Sequence, residues 1–484
     1  MGAQPDIILV MSDEHAPQVS SVYGHPRVRS PAMDRLAAQG MTFDAAYCAS
    51  PICVPSRMAF LSARLPSRTG VWDNGSPLPS DVPTLAHALR AAGYETVLIG
   101  KMHFIGPDQS HGFETRLVDD SRVCGTWIES NDWDDPAAPR PKARERVLRA
   151  GAGTTAHTDT DEEVLAAALD LLARRGQSDR AGDAPHGRAR RPLFLCIGFN
   201  APHFPLIAPA HFEDYWPAAV EPPRIGPDAP EAQHPFHRRL RSHFDLNGLS
   251  RDEVLRARAA YLALVTWMDG MLGRVLDAVD AMAPRPGAPP PFVAYASDHG
   301  EMAGERGLWW KNCFFEEAAR VPLICRWPGR IAPGSRNGAP VTLIDFALTL
   351  AEIAGADRVG AARDYLAQAD GQGFADLLAG APGAGRVAIS EYCAHAAGRP
   401  IRMIRRGRWK YVHYHDEPAE LYDLEADPGE RINLSGRAEQ AQVEAALRAR
   451  LLQDWDPVEI DRRVRRSQAD RLLIAMTEAR GVFE

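Results

Sequence analysis

Asp13 and Glu14 follow the first apolar run of the chain, Lys101 and His103 the second, His203 the third, and Asp298 with His299 the fourth. The carboxylates Asp13, Glu14 and Asp298 are hard oxygen donors, suited to calcium or magnesium rather than to a thiolate-seeking metal. Lys101, His103, His203, Arg57 and Lys311 add positive or proton-donating groups, a composition that fits a tetrahedral oxyanion. Taken singly, each reads as a surface charge or a helix cap. Their recurrence just past successive apolar runs points instead to one shared site. Cys53, two residues before Pro55, suits the first turn of a helix whose N-terminal dipole favours a bound anion. Alone, that cysteine reads either as buried core or as a thiolate nucleophile activated by the helix end and nearby cations.

The elements that must position these residues follow from hydrophobic patterning. Ile7–Met11, Thr96–Ile99, Leu193–Ile197, Phe292–Tyr295 and Val321–Cys325 are short apolar runs bounded by polar or turn residues, and they read as buried strands. Helical patterns lie between them: Ser30–Gln39, Thr84–Ala92, Asp161–Arg174 and the long Arg251–Met282 segment. This alternation predicts an α/β fold with a mostly parallel sheet wrapped by helices. In an open parallel sheet the C-terminal strand ends share one edge, so residues nearly three hundred positions apart converge there. Arg175–Arg191 and Pro284–Pro291 read as surface loops. From about Gly371 the pattern changes, and Ile401–Arg405 with Trp409–Tyr414 reads as a β-hairpin. The expected division is a large body over residues 1–370, a small α+β domain over 371–455 and a helical tail over 456–484, which docks on its own body or on another subunit.

The chain has 484 residues, of which 45% are apolar and 24% charged, ordinary for a globular protein. Its 55 basic and 63 acidic side chains give a formal charge of -8 without a long basic block, which argues against nucleic acid as a partner. Neither a basic N-terminal segment nor an apolar stretch of spanning length is present, so a cytoplasmic location with no membrane association is expected. The seven cysteines are widely spaced with no CxxC pair, which argues against structural disulfides and zinc.

Cys-x-Pro-Ser-Arg at Cys53–Arg57 resembles the signature of the type I sulfatases, in which the cysteine is oxidised to formylglycine. Gly93-Tyr94-x-Thr96 followed by Gly100-Lys101-x-His103 resembles the second signature of that family, and Asp298-His299-Gly300 its metal-binding segment. Tyr23–Pro26, Trp72–Asn74, Lys101–Phe104, Gly106–Gln109 and His111–Glu114 are most similar to the choline-sulfatase branch, and the likeness covers nearly the whole chain. The sequence departs from the family pattern at Ala63, where glycine is usual in a stretch read by the modifying machinery, and at Glu14, where Asp or Gln is usual.

The resemblance implies an alkaline-phosphatase-like sheet sandwiched by helices, a sulfuric ester hydrolase activity on choline sulfate or a similar small ester, and one divalent cation. Calcium is the expected ion, with magnesium or manganese as alternatives. Asp13, Glu14, Asp298, His299 and the modified Cys53 would hold it; Arg57 and Lys101 would fix the formylglycine hydrate, and His103 would serve as base for its collapse. His203 and Lys311 would bind sulfate oxygens, one of them protonating the leaving alcohol. Asn74, Trp127 and Glu391 are the candidate substrate contacts, an aromatic face and a carboxylate being suited to a quaternary ammonium. Expected partners are the small sulfate ester, a formylglycine-generating enzyme and further copies of the chain in a homo-oligomer. A phosphonate monoester or phosphodiester hydrolase of the same superfamily, or a non-catalytic sulfate binder with unmodified Cys53, are the other readings.

Overall fold

The computed structural model describes residues 4–120, 135–136, 138, 140, 142–181, 190–227, 233–283, 285 and 287–481. The apolar runs become strands buried along their whole length: Ile7–Asp13, Leu193–Pro202 and Phe292–Ser297 have no exposed position. Burial on both faces is what a parallel sheet covered by helices requires. Alternate residues accordingly enter different cores. Ile7, Leu9 and Met11 pack with Val54, Met58 and the Leu343–Ile353 helix, while Ile8 and Val10 pack with Val164, Leu165, Met268 and Leu272 from two long helices on the opposite face.

Eight strands form the main sheet in the order Ser335–Asn337, Met41–Phe43, Leu323–Arg326, Phe292–Ser297, Ile7–Asp13, Leu193–Pro202, Glu95–Gly100, Thr115–Arg116. The five strands from Phe292–Ser297 to Thr115–Arg116 are mutually parallel. The exception to the expected parallel arrangement is Leu323–Arg326, which pairs antiparallel with both neighbours. The fold is therefore α/β with a mostly parallel sheet between helical layers.

The long helix Arg251–Ala281 begins with a capping box, Ser250 Oγ accepting from Glu253 N–H while Glu253 accepts from Ser250 N–H. A correction concerns the segment expected to be a loop from Arg175. The preceding helix runs from Ala156 to Ala181, because Arg175 is anchored by an ion pair of 2.6 Å to Glu95 at the start of a strand. Residues 182–189 of that segment lie outside the described residues.

A second sheet of four antiparallel strands, Val387–Tyr392, Ile401–Arg406, Trp409–Tyr414 and Glu420–Asp423, contains the expected hairpin, turned at Gly407 with φ 56°. It is joined closely to the main body. Glu391 N–H donates to Ala49 carbonyl at 2.9 Å, and the fully buried Lys410 reaches Phe314 carbonyl at 2.6 Å, Glu316 at 2.9 Å and Glu430. The last helix, Pro457–Gly481, docks on its own chain. Arg471 makes two bonds of 2.8 Å to the buried Asp73, and Arg463 donates to Ser67 carbonyl at 2.8 Å. Among the described residues no helix is long and apolar enough to cross a membrane.

Candidate active site

Strand register explains the convergence. Ile7 pairs with Phe194 on one side and Phe292 on the other; the second register carries through to place Ser12 level with Ser297, while on the first a shift of two residues beyond Met11 brings Asp13 level with Pro202. Asp13, His203 and Asp298 are thereby carried to one height at the C-terminal edge. Lys101 joins them through a close approach of two strands. A Cβ on Gly198 would sit 1.9 Å from Lys101 carbonyl, so only glycine lets the neighbouring backbone come that near.

Cys53 opens the buried helix Cys53–Ser62. Its Sγ lies 3.2 Å from His299 Nε2 and 3.7 Å from Asp13 Oδ1. One turn on, Arg57 is fully buried and ties the cluster together: Nε donates to Asp298 Oδ2 at 2.8 Å, Nη2 to Asp13 Oδ2 at 3.1 Å and Nη1 to Lys101 carbonyl at 2.9 Å. Lys101 Nζ is 2.9 Å from the same Asp13 oxygen. Burial raises the Asp13 carboxyl, yet Lys101, His203, Arg57 and His299 together hold it well below the usual carboxylate range. Burial followed by the Asp13 charge pushes the Cys53 thiol up to about 12, against the opposing pull of Lys311. The protein groups by themselves thus leave it a thiol at neutral pH, which weighs against the thiolate reading.

Asp13, Cys53, Asp298 and His299 present ligand atoms that all lie within 4.8 Å of one another, close enough to surround one ion. Two carboxylates, one imidazole and the side chain at position 53 suit a divalent cation, although this set is softer than the all-oxygen cages usual for calcium. Glu14 falls in a second group with Asp13 and His203. Its Oε2 is 3.3 Å from His203 Nε2 and 3.2 Å from Lys311 Nζ. Burial lifts the Glu14 carboxyl well above its ordinary value; Lys311 draws it back and Glu301 pushes it further up.

His203 donates from Nδ1 to Phe204 carbonyl at 2.6 Å, which leaves Nε2 as the atom that gains or loses a proton. Lys311 stands between two residues in the left-handed region, Trp310 with φ 66° and Asn312 with φ 77°; Glu14 and His103 are also left-handed, at 68° and 61°. Such strained backbone gathers where side chains must be aimed at a site. His103 is buried, and its backbone N–H donates to Asp120 Oδ2 at 3.1 Å.

Asn74 Oδ1 accepts from Val54 N–H at 2.9 Å, at the start of the Cys53 helix. Asn74, His203, Lys311, Phe204, Trp310 and Arg140 help to line a cavity of about 130 Å³ opening beside the cluster. Glu391 is not in that lining. Its carboxylate accepts from Ser67 N–H at 2.8 Å and Ser67 Oγ at 2.9 Å and pairs with Arg402 at 3.1 Å. Trp127 lies outside the described residues. Sequence reasoning missed Glu301, whose Oε1 accepts from the N–H groups of Ala303 and Trp310 at 2.6 Å each. Its place one residue after Asp298-His299-Gly300 was the available signal.

A family model described as Sulfatase matches residues 5–356, covering every residue of this cluster. The chain belongs to the sulfatase family. A model described as N-sulphoglucosamine sulphohydrolase, C-terminal, matches residues 304–456 of this sulfatase. It is 34% identical over 496 residues to a choline-sulfatase of Rhizobium meliloti, covering 99% of this chain and 92% of that protein. It is 27% identical over 510 residues to an N-acetylglucosamine-6-O-sulfatase of Bacteroides thetaiotaomicron, covering 92% and 85%. Its fold is shared with a structure solved in complex with its substrate D-glucosamine-2-N,6-O-disulfate, at TM-score 0.72 and 23% identity over 94% of this chain and 99% of that one. A phosphonate monoester hydrolase of Silicibacter pomeroyi also shares it, at TM-score 0.70 and 22% identity over 93% and 95%. The sulfatase is thus an enzyme of sulfate ester hydrolysis.

Proposed function

We propose that this sulfatase hydrolyses the sulfate monoester of a small organic alcohol, with position 53 as nucleophile after oxidation of Cys53 to formylglycine. Asp13, Asp298 and His299 would hold a divalent cation beside it. The observation that supports this most is the placement of Cys53 at the start of a buried helix, 3.2 Å from His299 and 3.7 Å from Asp13, with Arg57 bonded to both carboxylates. A bound cation supplies Lewis acidity, lowering the pKa of a coordinated hydroxyl and offsetting charge on the sulfuryl oxygens.

The remaining work falls to the chain's own groups. Arg57 and Lys101 keep Asp13 ionised and immobile, so the ligand set is preorganised. Lys311 and His203 flank the entrance from the alcohol side, where an ammonium can bind a sulfuryl oxygen and an imidazolium Nε2 can give its proton to the departing alkoxide. His103, two residues beyond Lys101, is the proposed base for release of sulfate. The choline-sulfatase relative makes choline sulfate the first ester to assay.

The test combines peptide mass spectrometry with kinetics. Co-expression with a formylglycine-generating enzyme should convert the Cys53 thiol to an aldehyde, with turnover of sulfate monoesters rising in proportion to the converted fraction. Cys53→Ala should abolish turnover. Substantial activity in that variant would remove the covalent step, and faster cleavage of a phosphonate monoester than of any sulfate ester would favour the phosphonate hydrolase reading.

A further inference from the structure

Pairing of Leu193–Pro202 with Ile7–Asp13 stops at Gly198 and resumes at Pro202, and its pairing with Glu95–Gly100 ends at Gly198. Asn200 and Ala201 thus leave the ladder just before His203, and their buried N–H groups need acceptors elsewhere. Asp161 supplies them. It has no solvent exposure; its Oδ1 accepts from Asn200 N–H at 2.7 Å and Asn200 Nδ2 at 3.1 Å, and its Oδ2 from Ala201 N–H at 2.8 Å. Asn200 passes the constraint on, its carbonyl accepting from His203 N–H at 3.0 Å. His157, four residues before Asp161 and so on the same side of the helix Ala156–Ala181, stacks on the His203 ring with centroids 5.9 Å apart and planes 7° apart. The start of that helix is itself fixed by a reciprocal cap, Thr155 Oγ1 accepting from Thr158 N–H at 3.2 Å and Thr158 Oγ1 from Thr155 N–H at 2.8 Å. Phe204 adds a ring contact to His203 at 3.9 Å. Held in this way, His203 Nε2 reaches the cluster, 3.3 Å from Glu14 Oε2 and 3.9 Å from Asp13 Oδ1.

We infer that Asp161, seconded by His157, is a positioning residue for His203: the start of the helix Ala156–Ala181 holds the imidazole where its Nε2 meets the departing alkoxide. This inference rests on the proposed role of His203 as acid toward the leaving alcohol and names what makes that role possible. A proton donor contributes about 10²–10⁴-fold only within hydrogen-bond reach of the oxygen it protonates, and a displacement of about 1 Å costs on the order of 10²-fold. Asparagine at position 161 keeps the volume but offers one acceptor oxygen where three donors converge, so its amide N–H groups face N–H donors. The turn at Asn200 must then shift and carry His203 with it. Asp13 and Asp298 are held by Arg57 and Lys101 through bonds that do not pass through Asp161.

The leaving oxygen's need for that proton separates positioning from general support of the fold. The measurement is kcat/KM of the formylglycine-bearing full-length enzyme on 4-nitrophenyl sulfate, phenyl sulfate and choline sulfate, whose leaving oxygens are progressively more basic. Each ratio of two esters is taken on one preparation, so the amounts of folded and converted enzyme cancel. In Asp161→Asn the ratio of choline sulfate to 4-nitrophenyl sulfate should fall at least about tenfold, with phenyl sulfate in between. His157→Ala should move the ratio the same way by about threefold or more, and His157→Phe, which keeps a stacking ring, should restore it. In a His203→Ala background, adding Asp161→Asn should leave the ratio within about twofold, since the carboxylate acts through that imidazole. The ratio of phenyl to 4-nitrophenyl sulfate carries the test if choline sulfate is not cleaved. A ratio unmoved by Asp161→Asn overturns the inference, as does an Asp161→Asn effect that persists undiminished without His203. Should Asp161→Asn fail to fold, the His157 variants decide, and an unmoved ratio in His157→Ala overturns it again. If His203→Ala leaves the ratio unchanged, the acid assignment falls and the inference with it. Wild type inert toward all three esters sinks the hydrolase reading itself, a failure distinct from the others.

Discussion

Arg471→Met tests whether the last helix is part of the machinery that holds the nucleophile. Asp73 has no solvent exposure, and Arg471 supplies it with two bonds of 2.8 Å, one to each carboxylate oxygen. Asp73 Oδ1 also accepts from Gly75 N–H at 3.0 Å and Ser76 Oγ at 2.9 Å, which shapes the turn that carries Asn74. Asn74 in turn holds Val54 N–H at the start of the Cys53 helix. Methionine keeps most of the aliphatic volume of arginine, so the change isolates the loss of charge and donors. Breaking a buried pair from one side costs about 3–5 kcal/mol, because the remaining carboxylate is left desolvated without its counter-charge. Asp73→Asn combined with Arg471→Met removes that charge, and a coupling energy of about 2–3 kcal/mol between the two sites should emerge from the double-mutant cycle. Denaturant unfolding at constant slope gives the stabilities. Hydrogen exchange over Pro457–Gly481 should report local release of the helix, and kcat/KM should fall with it as Asn74 loosens. Coupling within about 0.5 kcal/mol of zero, or an Arg471→Met variant with unchanged exchange in that helix, would refute the reasoning.

Two further outcomes follow from the buried charges. Chelation should abolish turnover and lower the melting temperature, since a cation at about a hundred times its Kd stabilises by about 2.7 kcal/mol; re-addition of calcium, magnesium and manganese in parallel identifies the preferred ion, and unchanged melting on chelation would count against the Asp13, Asp298 and His299 site. Lys410→Met should cost about 3–5 kcal/mol by removing the ammonium shared by Glu316 and Glu430. Burial alone would raise Glu316, but Lys410, Arg320 and Arg405 hold it down to about 2, so its contribution is present above its ordinary value of 4.5 and lost as pH falls toward about 2. The stability gap between wild type and variant should therefore narrow below pH about 4.5, and a gap that widens on acidification would contradict the assignment.

What the sequence made legible is the half of the site built on regular elements. Asp13, Lys101, His203 and Asp298 end or directly follow strands whose apolar runs were visible, and parallel pairing leaves such residues no other edge to occupy. Cys53 and Arg57 are four apart at the head of a helix, a spacing that places both on one face. Even the departure at Ala63 has a geometric meaning: it caps the Cys53 helix at φ 53°, in the left-handed region where glycine is at ease. The tail helix was legible as a helix, but its seat was not, because nothing in an arginine-rich pattern says which buried aspartate it will find. Likewise Ser67, which donates to Glu391, lies far from it in sequence, and Arg402 reaches it through the register of the strands Val387–Tyr392 and Ile401–Arg406, which sets the two residues opposite each other.

The illegible half has a common cause. Arg140 with Arg146, Trp310, and His395 come from three separate stretches of the chain, none of them a strand of the main sheet, and only tertiary packing brings them to one cavity. Sheet-edge residues bind the part of the substrate that every family member must cleave, so motif likeness carries over to them directly. Loop-borne residues bind the part that differs between members, and loops accept substitution without disturbing the sheet. A 34% identical relative therefore constrains the reaction far more than the alcohol.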